Sequence, residues 1–298
     1  MTEIAGKAAV VTGGGSGIGM GLAKELARQG ASVAIADIMP ENARKVADAI
    51  NAGGGNAVAL ACDVCERDSI RRMKAAANAA LGPIHLVFAN AGATAFEPLA
   101  NMSDDDVDWI LDVNLKGVMY TTRAFLPDMI AATGGHICAT ASIAGLMPGW
   151  IPQHTPYSAA KAGVIGLMMN VQIELQQYNI HTTSYCPGGV ATGMRVNNAR
   201  YRPARYGGAG EQEVHLGEEN RGQSSLRFYH PEDVAPMVLN AVRNNRPFVF
   251  DHPDQQPLFR QTYAGIVDAC YEDAAKWFRE HGEPPVNPHG ADLVDAAR

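Results

Sequence analysis

The stretch Val10-Val11-Thr12-Gly13-Gly14-Gly15-Ser16-Gly17-Ile18-Gly19 decides the fold. An apolar run, Ala8–Thr12, ends at a glycine-rich turn, and Ile18–Gln29 then continues with helical spacing. Glycines permit the tight turn and let backbone N–H groups at a helix start approach a pyrophosphate. The turn lacks G-x-G-x-x-G spacing, so its composition alone is a weak pointer. Its place between the first strand and the first helix gives it weight. Gly13, Gly15, Ser16, Gly17, Ile18 and Gly19 are the candidate cradle.

The same alternation runs outward to about residue 250. Strands are predicted over Ala8–Thr12, Ser32–Ala36, Ala57–Ala61, Leu86–Ala89, Gly135–Ala139, Ile180–Tyr185 and Phe248–Phe250. Helices are predicted over Ile18–Gln29, Glu41–Ala52, Asp68–Ala79, Asp104–Ala132, Ser158–Gln177 and Pro231–Asn245. Several strands are apolar throughout, as expected when both faces are covered. Strict strand–helix succession predicts an α/β fold with a doubly wound parallel sheet, a Rossmann fold. Residues 1–255 read as this domain. Residues 256–298 read as its C-terminal helical extension, a helix over Leu258–Phe278 and a tail rich in Pro and Gly. Residues 191–230 hold six glycines and no sustained period, which predicts a long substrate loop.

Composition excludes several classes. A net charge of −7 argues against general nucleic-acid binding. No apolar stretch long enough to span a bilayer and no leader pattern is present, which predicts a cytoplasmic protein. Among the five cysteines, Cys62 and Cys65 have C-x-x-C spacing, but no second pair or histidine follows at zinc-site spacing. No metal is expected.

Asp37 follows the second strand, roughly 20 residues after the glycines, where a carboxylate accepts from both hydroxyls of an adenosine ribose. A 2′-phosphate there would meet like charge, so NAD is expected over NADP. Tyr157 and Lys161 are four apart and share one helix face. The sequence places an ammonium beside a phenol, which favours the phenolate and draws it toward the range of a general base. Ser142 follows the preceding strand, placed to donate a hydrogen bond to a substrate oxygen as charge develops.

Together these segments resemble the classical short-chain dehydrogenase/reductase family over about residues 5–250. The matching residues are Thr12–Gly19, Asp63-Val64, Asn90-Ala91-Gly92, Asn114, Ser142, Tyr157-Ser158-Ala159-Ala160-Lys161, and Pro187-Gly188 with Thr192. The resemblance implies Asn114, Ser142, Tyr157 and Lys161 as the catalytic set. It also implies that Asp63, Val64, Asn90, Ala91, Gly92, Pro187, Gly188, Val190 and Thr192 join the glycine turn and Asp37 in holding the cofactor. Lys161 would bind the nicotinamide ribose, Thr192 the carboxamide, and Asn114 a water that relays protons to the lysine. Hydride transfer on the pro-S face and association into homodimers or homotetramers are implied in the same way. Two departures are evident: a Ser142–Tyr157 interval about two residues longer than usual, and a longer segment after Thr192.

These departures frame the expected substrate mouth. Met147, Trp150 and Met194 are expected to form an apolar wall for an aromatic or cyclic group. Arg195, Arg200, Arg202 and Arg205 are candidates to receive a carboxylate or phosphate on the substrate, to grip the cofactor pyrophosphate, or to form a solvated or intersubunit face. Asn198–Gly207 is similar to a stretch in the family's bacterial dehydrogenases that oxidise the benzylic alcohol of lignin-derived aryl ethers. The expected activity is hydride transfer between NAD and a secondary alcohol or ketone. An acyl-thioester ketoreductase or a silent NAD-binding sensor or scaffold are the alternatives. Residues 191–230 are expected to act as a mobile lid at the nicotinamide end. Leu111, Val118, Phe125, Ile165 and Met169 are expected to supply apolar surface for self-association.

Overall fold

The computed structural model describes residues 1–147, 151–194, 200–209 and 227–283. The first half runs β1 (Ala8–Thr12), α1 (Gly17–Arg28), β2 (Ser32–Asp37), α2 (Pro40–Ala52), β3 (Asn56–Ala61), α3 (Arg67–Leu81) and β4 (Ile84–Ala89). The second runs α4 (Asp104–Leu111), α5 (Gly117–Ala132), β5 (Gly135–Thr140), α6 (Thr155–Leu175), β6 (Ile180–Cys186), α7 (Pro231–Arg243) and β7 (Phe248–Phe250). The seven strands form one parallel sheet in the order β3-β2-β1-β4-β5-β6-β7. This is the doubly wound Rossmann arrangement, and the order reverses between β1 and β4. The loops at the C-terminal strand ends open a crevice there.

Side chains alternate across the pleat and define two cores. Ala8, Val10, Ala34, Ala36, Val87 and Ala89 face a layer with Ile70 and Met73 of α3, Phe125 of α5 and Val164 of α6. Ala9, Val11, Val33, Ile35, Leu86 and Phe88 face Leu22 and Leu26 of α1, Val46 of α2 and Val238 of α7. Both faces are covered, which is why strands such as β1 are apolar at every position.

Two of the helices flanking the sheet depart most from expectation. The helix α6 starts at Thr155 because Pro156 in its first turn needs no backbone N–H partner there. The single helix expected over Asp104–Ala132 is interrupted by a π turn at Asp112–Lys116. It carries Asn114, and such turns commonly mark functional sites. The N-terminus of α4 is fixed by a capping box in which Ser103 and Asp106 bond reciprocally.

Met1–Pro253 forms one compact unit, and a second begins at Asp254. The second contains α8 (Gln256–Phe259), a π turn and α9 (Gly265–His281), so the helix expected over Leu258–Phe278 is found in two parts. Residues 284–298 of the expected tail lie outside the described residues. Among the described residues, no helix is long and apolar enough to cross a membrane.

Candidate active site

The turn between β1 and α1 is shaped for close approach. Gly17 has φ +50° and packs on Thr192, where an added Cβ would lie 3.1 Å from the threonine side chain. An added Cβ at Gly15 would sit 2.8 Å from Asp37 Oδ2, the atom that accepts the Gly15 N–H at 2.9 Å. Thr12 Oγ1 accepts from the N–H groups of Asn90 and Ala91 at 3.0 and 3.2 Å. Asn90 bonds the Thr12 carbonyl through Nδ2 and the Thr140 hydroxyl through Oδ1. The ends of β1, β4 and β5 are thereby tied together at the crevice.

One cavity is lined by Gly13, Ser16, Gly17, Ile18, Asp37, Asp63, Val64, Asn90, Ala91, Gly92, Tyr157, Lys161, Pro187 and Thr192. Most sequence-selected residues therefore converge. The others support this wall: Gly19 abuts the Gly13 carbonyl, and Gly188 donates to Asp251 Oδ1 at 2.8 Å. Val190 pairs with Tyr229. Asp37 is buried, and Met39 N–H also donates to it at 2.9 Å. Burial raises its pKa, and the backbone donors oppose that rise. These residues fit a dinucleotide: a tight glycine turn stands at a helix start, with a buried carboxylate at the end of the next strand.

Tyr157, Lys161 and Ser142 meet at the other end. Lys161 is fully buried, donates to the Thr140 carbonyl at 2.7 Å, and holds Nζ 5.4 Å from the Tyr157 ring centroid. Ser142 caps the short turn Ile143–Gly145, accepting from Ala144 N–H at 3.1 Å, and its hydrogen bond to Tyr157 favours the phenolate. Burial works against the expected ammonium-lowered phenol. Burial pushes Tyr157 up to about 12 and Lys161 down to about 7. Desolvation opposes charge on both groups. Asn114 is buried, donating to the carbonyls of Ala93 and Ile110 at 2.8 Å and accepting from Ala93 N–H at 3.3 Å. Its visible work is to hold the loop after β4.

The substrate-side expectations fare unevenly. Met194 lines the cavity, but Met147 is buried in the interior; Trp150 lies outside the described residues. Trp109 and Val113 supply apolar wall that the sequence did not single out. Two of the four arginines are paired with carboxylates. Arg202 pairs with Asp106, while Arg205 pairs with Asp63 at 2.8 Å and Glu66 at 3.1 Å. Arg200 is exposed, and Arg195 lies outside the described residues. Of the segment expected at the nicotinamide end, Thr192, Gly193, Met194 and Tyr201 line the cavity, and residues 195–199 and 210–226 lie outside the described residues. Cys62 and Cys65 are free thiols, each pushed up to about 12 by burial.

Three further residues carried no local sequence signal. His154 stacks on Tyr157 at 4.1 Å and on Phe96 at 4.2 Å, and its Nε2 meets Thr94 Oγ1 at 2.7 Å. Burial pushes this imidazole down to about 3, so it is neutral. Asp251 accepts from Tyr185 Oη at 2.7 Å and from Gly188 N–H, and His252 Nδ1 lies 2.6 Å from it. This buried group fixes the Pro187-Gly188 turn from the end of β7.

The short chain dehydrogenase family model matches residues 7–202. A "C alpha-dehydrogenase" from Sphingobium sp. (strain NBRC 103272 / SYK-6) is 31% identical, the match covering 90% of this chain and 88% of that protein. A "cyclohexanol dehydrogenase" from Acinetobacter sp. (strain SE19) is 39% identical over 82% of this chain and 90% of its own length. A short chain dehydrogenase/reductase from Burkholderia phymatum, solved in complex with NAD, has TM-score 0.79 and 27% identity, covering 96% of this chain and all of its own (100%). With the glycine turn, the Tyr157–Lys161 pair and Ser142 assembled at one crevice, the chain belongs to the short chain dehydrogenase family.

Proposed function

We propose that the chain is an NAD-dependent oxidoreductase that interconverts secondary alcohols and ketones, with a preference for bulky aromatic or cyclic substrates. One observation carries the reading: the buried Tyr157–Lys161–Ser142 cluster stands at one end of a cavity whose other end is the Asp37 carboxylate. The two dehydrogenases named above support the substrate class, and the NAD bound in the Burkholderia structure supports the cofactor.

The glycine turn and the α1 N-terminus would hold the pyrophosphate of NAD, Asp37 the adenosine ribose, and Thr192 and Lys161 the nicotinamide half. When bound, the nicotinamide supplies the hydride acceptor or donor. In oxidation, Tyr157 Oη takes the alcohol proton, and in reduction it returns that proton to the carbonyl oxygen. Ser142 donates a hydrogen bond to the same substrate oxygen as charge develops. Lys161, charged, offsets the desolvation of the phenolate; the positive charge of oxidised nicotinamide acts in the same direction. Trp109, Val113 and Met194 form apolar wall that excludes water. Catalytic work by Asn114 rests on its hold on Ala93. Asp37 disfavours a 2′-phosphate because a buried carboxylate would face like charge.

The test is a panel of secondary alcohols and ketones assayed with NAD(H) and NADP(H) at the nicotinamide absorbance. Turnover of cyclic or aryl carbinols with NAD is expected. Higher kcat/KM with NADP(H) would overturn the Asp37 assignment, and NADH binding without turnover across the panel would leave a sensor. The same proposal includes self-association as a homodimer or homotetramer through α5 and α6.

A further inference from the structure

We propose that the segment 200–208 is an adenosine-side clasp. Tyr201 and Arg205 complete the cofactor's adenosine subsite and govern cofactor exchange. This deepens the NAD-binding reading and rests on it. The segment belongs to the long insertion after Thr192, where its glycines and its position suggest a cover for the substrate. Tyr201 and Arg205 are anchored elsewhere, beside Asp37 and Asp63.

Tyr201 lines the cavity beside Asp37, Ile38, Asp63 and Val64, and its hydroxyl accepts from Asn42 Nδ2 of α2 at 3.2 Å. Asn42 itself abuts the glycine turn: a Cβ added at Gly15 would fall 2.8 Å from Asn42 Cβ. Tyr201 is thus tied to the residues that meet the adenosine ribose. Arg205 donates to Asp63 Oδ2 at 2.8 Å and pairs with Glu66, whereas Asp63 Oδ1 accepts from Cys65 N–H. Arg205 therefore occupies one oxygen of the carboxylate just past β3, on the wall of the cofactor cavity.

The remaining anchors fasten the segment across the crevice. Tyr206 is buried, and its hydroxyl donates to Asp112 Oδ2 of the π turn at 2.7 Å. Arg202 pairs with Asp106 of α4, with its guanidinium 5.3 Å from the Trp109 ring centroid. Trp109 also lines the cavity. Tyr201 and Arg205 thus tie the segment to α2 and the loop after β3, on the side where the adenosine half belongs, while Arg202 and Tyr206 fasten it to α4 and the π turn. Its outer ties are charge pairs: the Arg205 side chain is 37% exposed and Asp63 20%. Pairs with that exposure are weakened by salt. Adenosine cannot leave past Tyr201 without loosening them, so opening the clasp becomes part of cofactor release.

Stopped-flow NADH fluorescence on the full-length protein tests this through binding rather than turnover. Arg205→Gln is expected to speed NADH dissociation about tenfold, equivalent to about 1.4 kcal/mol. Tyr201→Phe, which deletes only the hydroxyl, should speed it by a smaller factor. Raising salt should accelerate release from wild type more than from Arg205→Gln. Arg200→Gln, exposed on the same segment, should match wild type, and KM for the alcohol should stay constant in all variants. NADH dissociation within twofold of wild type in both Arg205→Gln and Tyr201→Phe would overturn the clasp. A rise in alcohol KM at unchanged NADH release would also overturn it, making the segment a substrate cover. Wild type failing to bind NADH would instead defeat the NAD reading itself.

Discussion

Tyr157 and Lys161 lose water together, and burial alone moves both away from the values that catalysis uses: the phenol up to about 12, the amine down to about 7. Oxidation requires the phenolate, so its kcat/KM should climb as pH rises from neutral. Reduction requires the phenol and should stay flat through neutral pH, falling only where the phenol ionises. Tyr157→Phe keeps the ring and its stack on His154 but deletes the proton carrier. Turnover should fall by roughly 10²–10⁴-fold with NADH affinity retained. Steady-state pH profiles and NADH titrations of both proteins check this; a variant keeping a tenth of wild-type kcat would move the proton role elsewhere. The sequence pointed to this pair through its four-residue spacing together with the ordered segments around it, since the spacing alone is common. The direction of the shifts was not legible, because desolvation depends on all the elements packed around the pair. His154 was equally illegible, since nothing in the local sequence says that its ring lies flat on Tyr157.

The turn carrying Ser142 is pressed against α6. A Cβ at Gly145 would lie 2.6 Å from the Lys161 carbonyl carbon and 2.7 Å from Ala162 N, both backbone atoms that cannot swing aside. Gly145→Ala should push the turn away from α6 and carry Ser142 from Tyr157. About 1–3 kcal/mol of stability should be lost, and kcat should drop. Gly166→Ala, in the same helix with no atom of its own subunit within 4 Å of the new Cβ, should leave the turn and kcat unchanged. Urea midpoints and kcat for the two variants test the contrast; equal effects would mean that the close approach is unimportant. At this scale the strand and helix order was readable because hydrophobic period is local. The π turn at Asp112–Lys116 was not, since its spacing fits an uninterrupted helix and the side-chain bonds of Asn114 to Ala93 arise from tertiary contact.

Self-association belongs to the whole molecule. Val118, Phe125 and Ile165, which the sequence offered as surplus apolar surface, are buried in the subunit's own core. The case now rests on Met119 of α5 with Met169 and Ile173 of α6, which are 41%, 53% and 73% exposed. Met169 and Ile173 are four residues apart and share a helix face. Light scattering at micromolar concentration should give a multiple of the 31.6 kDa subunit mass. Met169→Glu with Ile173→Glu should shift the mass downward. A single-subunit mass for the wild type would defeat the oligomer.

The sequence by itself determined the order of elements, the glycine turn, Asp37 at the end of β2 and the Tyr157–Lys161 pair. Each depends on residues within about one turn or one strand of each other, where spacing and period act directly. Only the tertiary structure decided where the arginines go. Arg202 meets Asp106, 96 residues away, and Arg205 meets Asp63, 142 residues away. It likewise decided that Asp251 steadies Gly188, 63 residues distant, from the next strand of the sheet. No local pattern encodes such partners, because charge pairing follows distance in space, and that distance is set by how the chain packs.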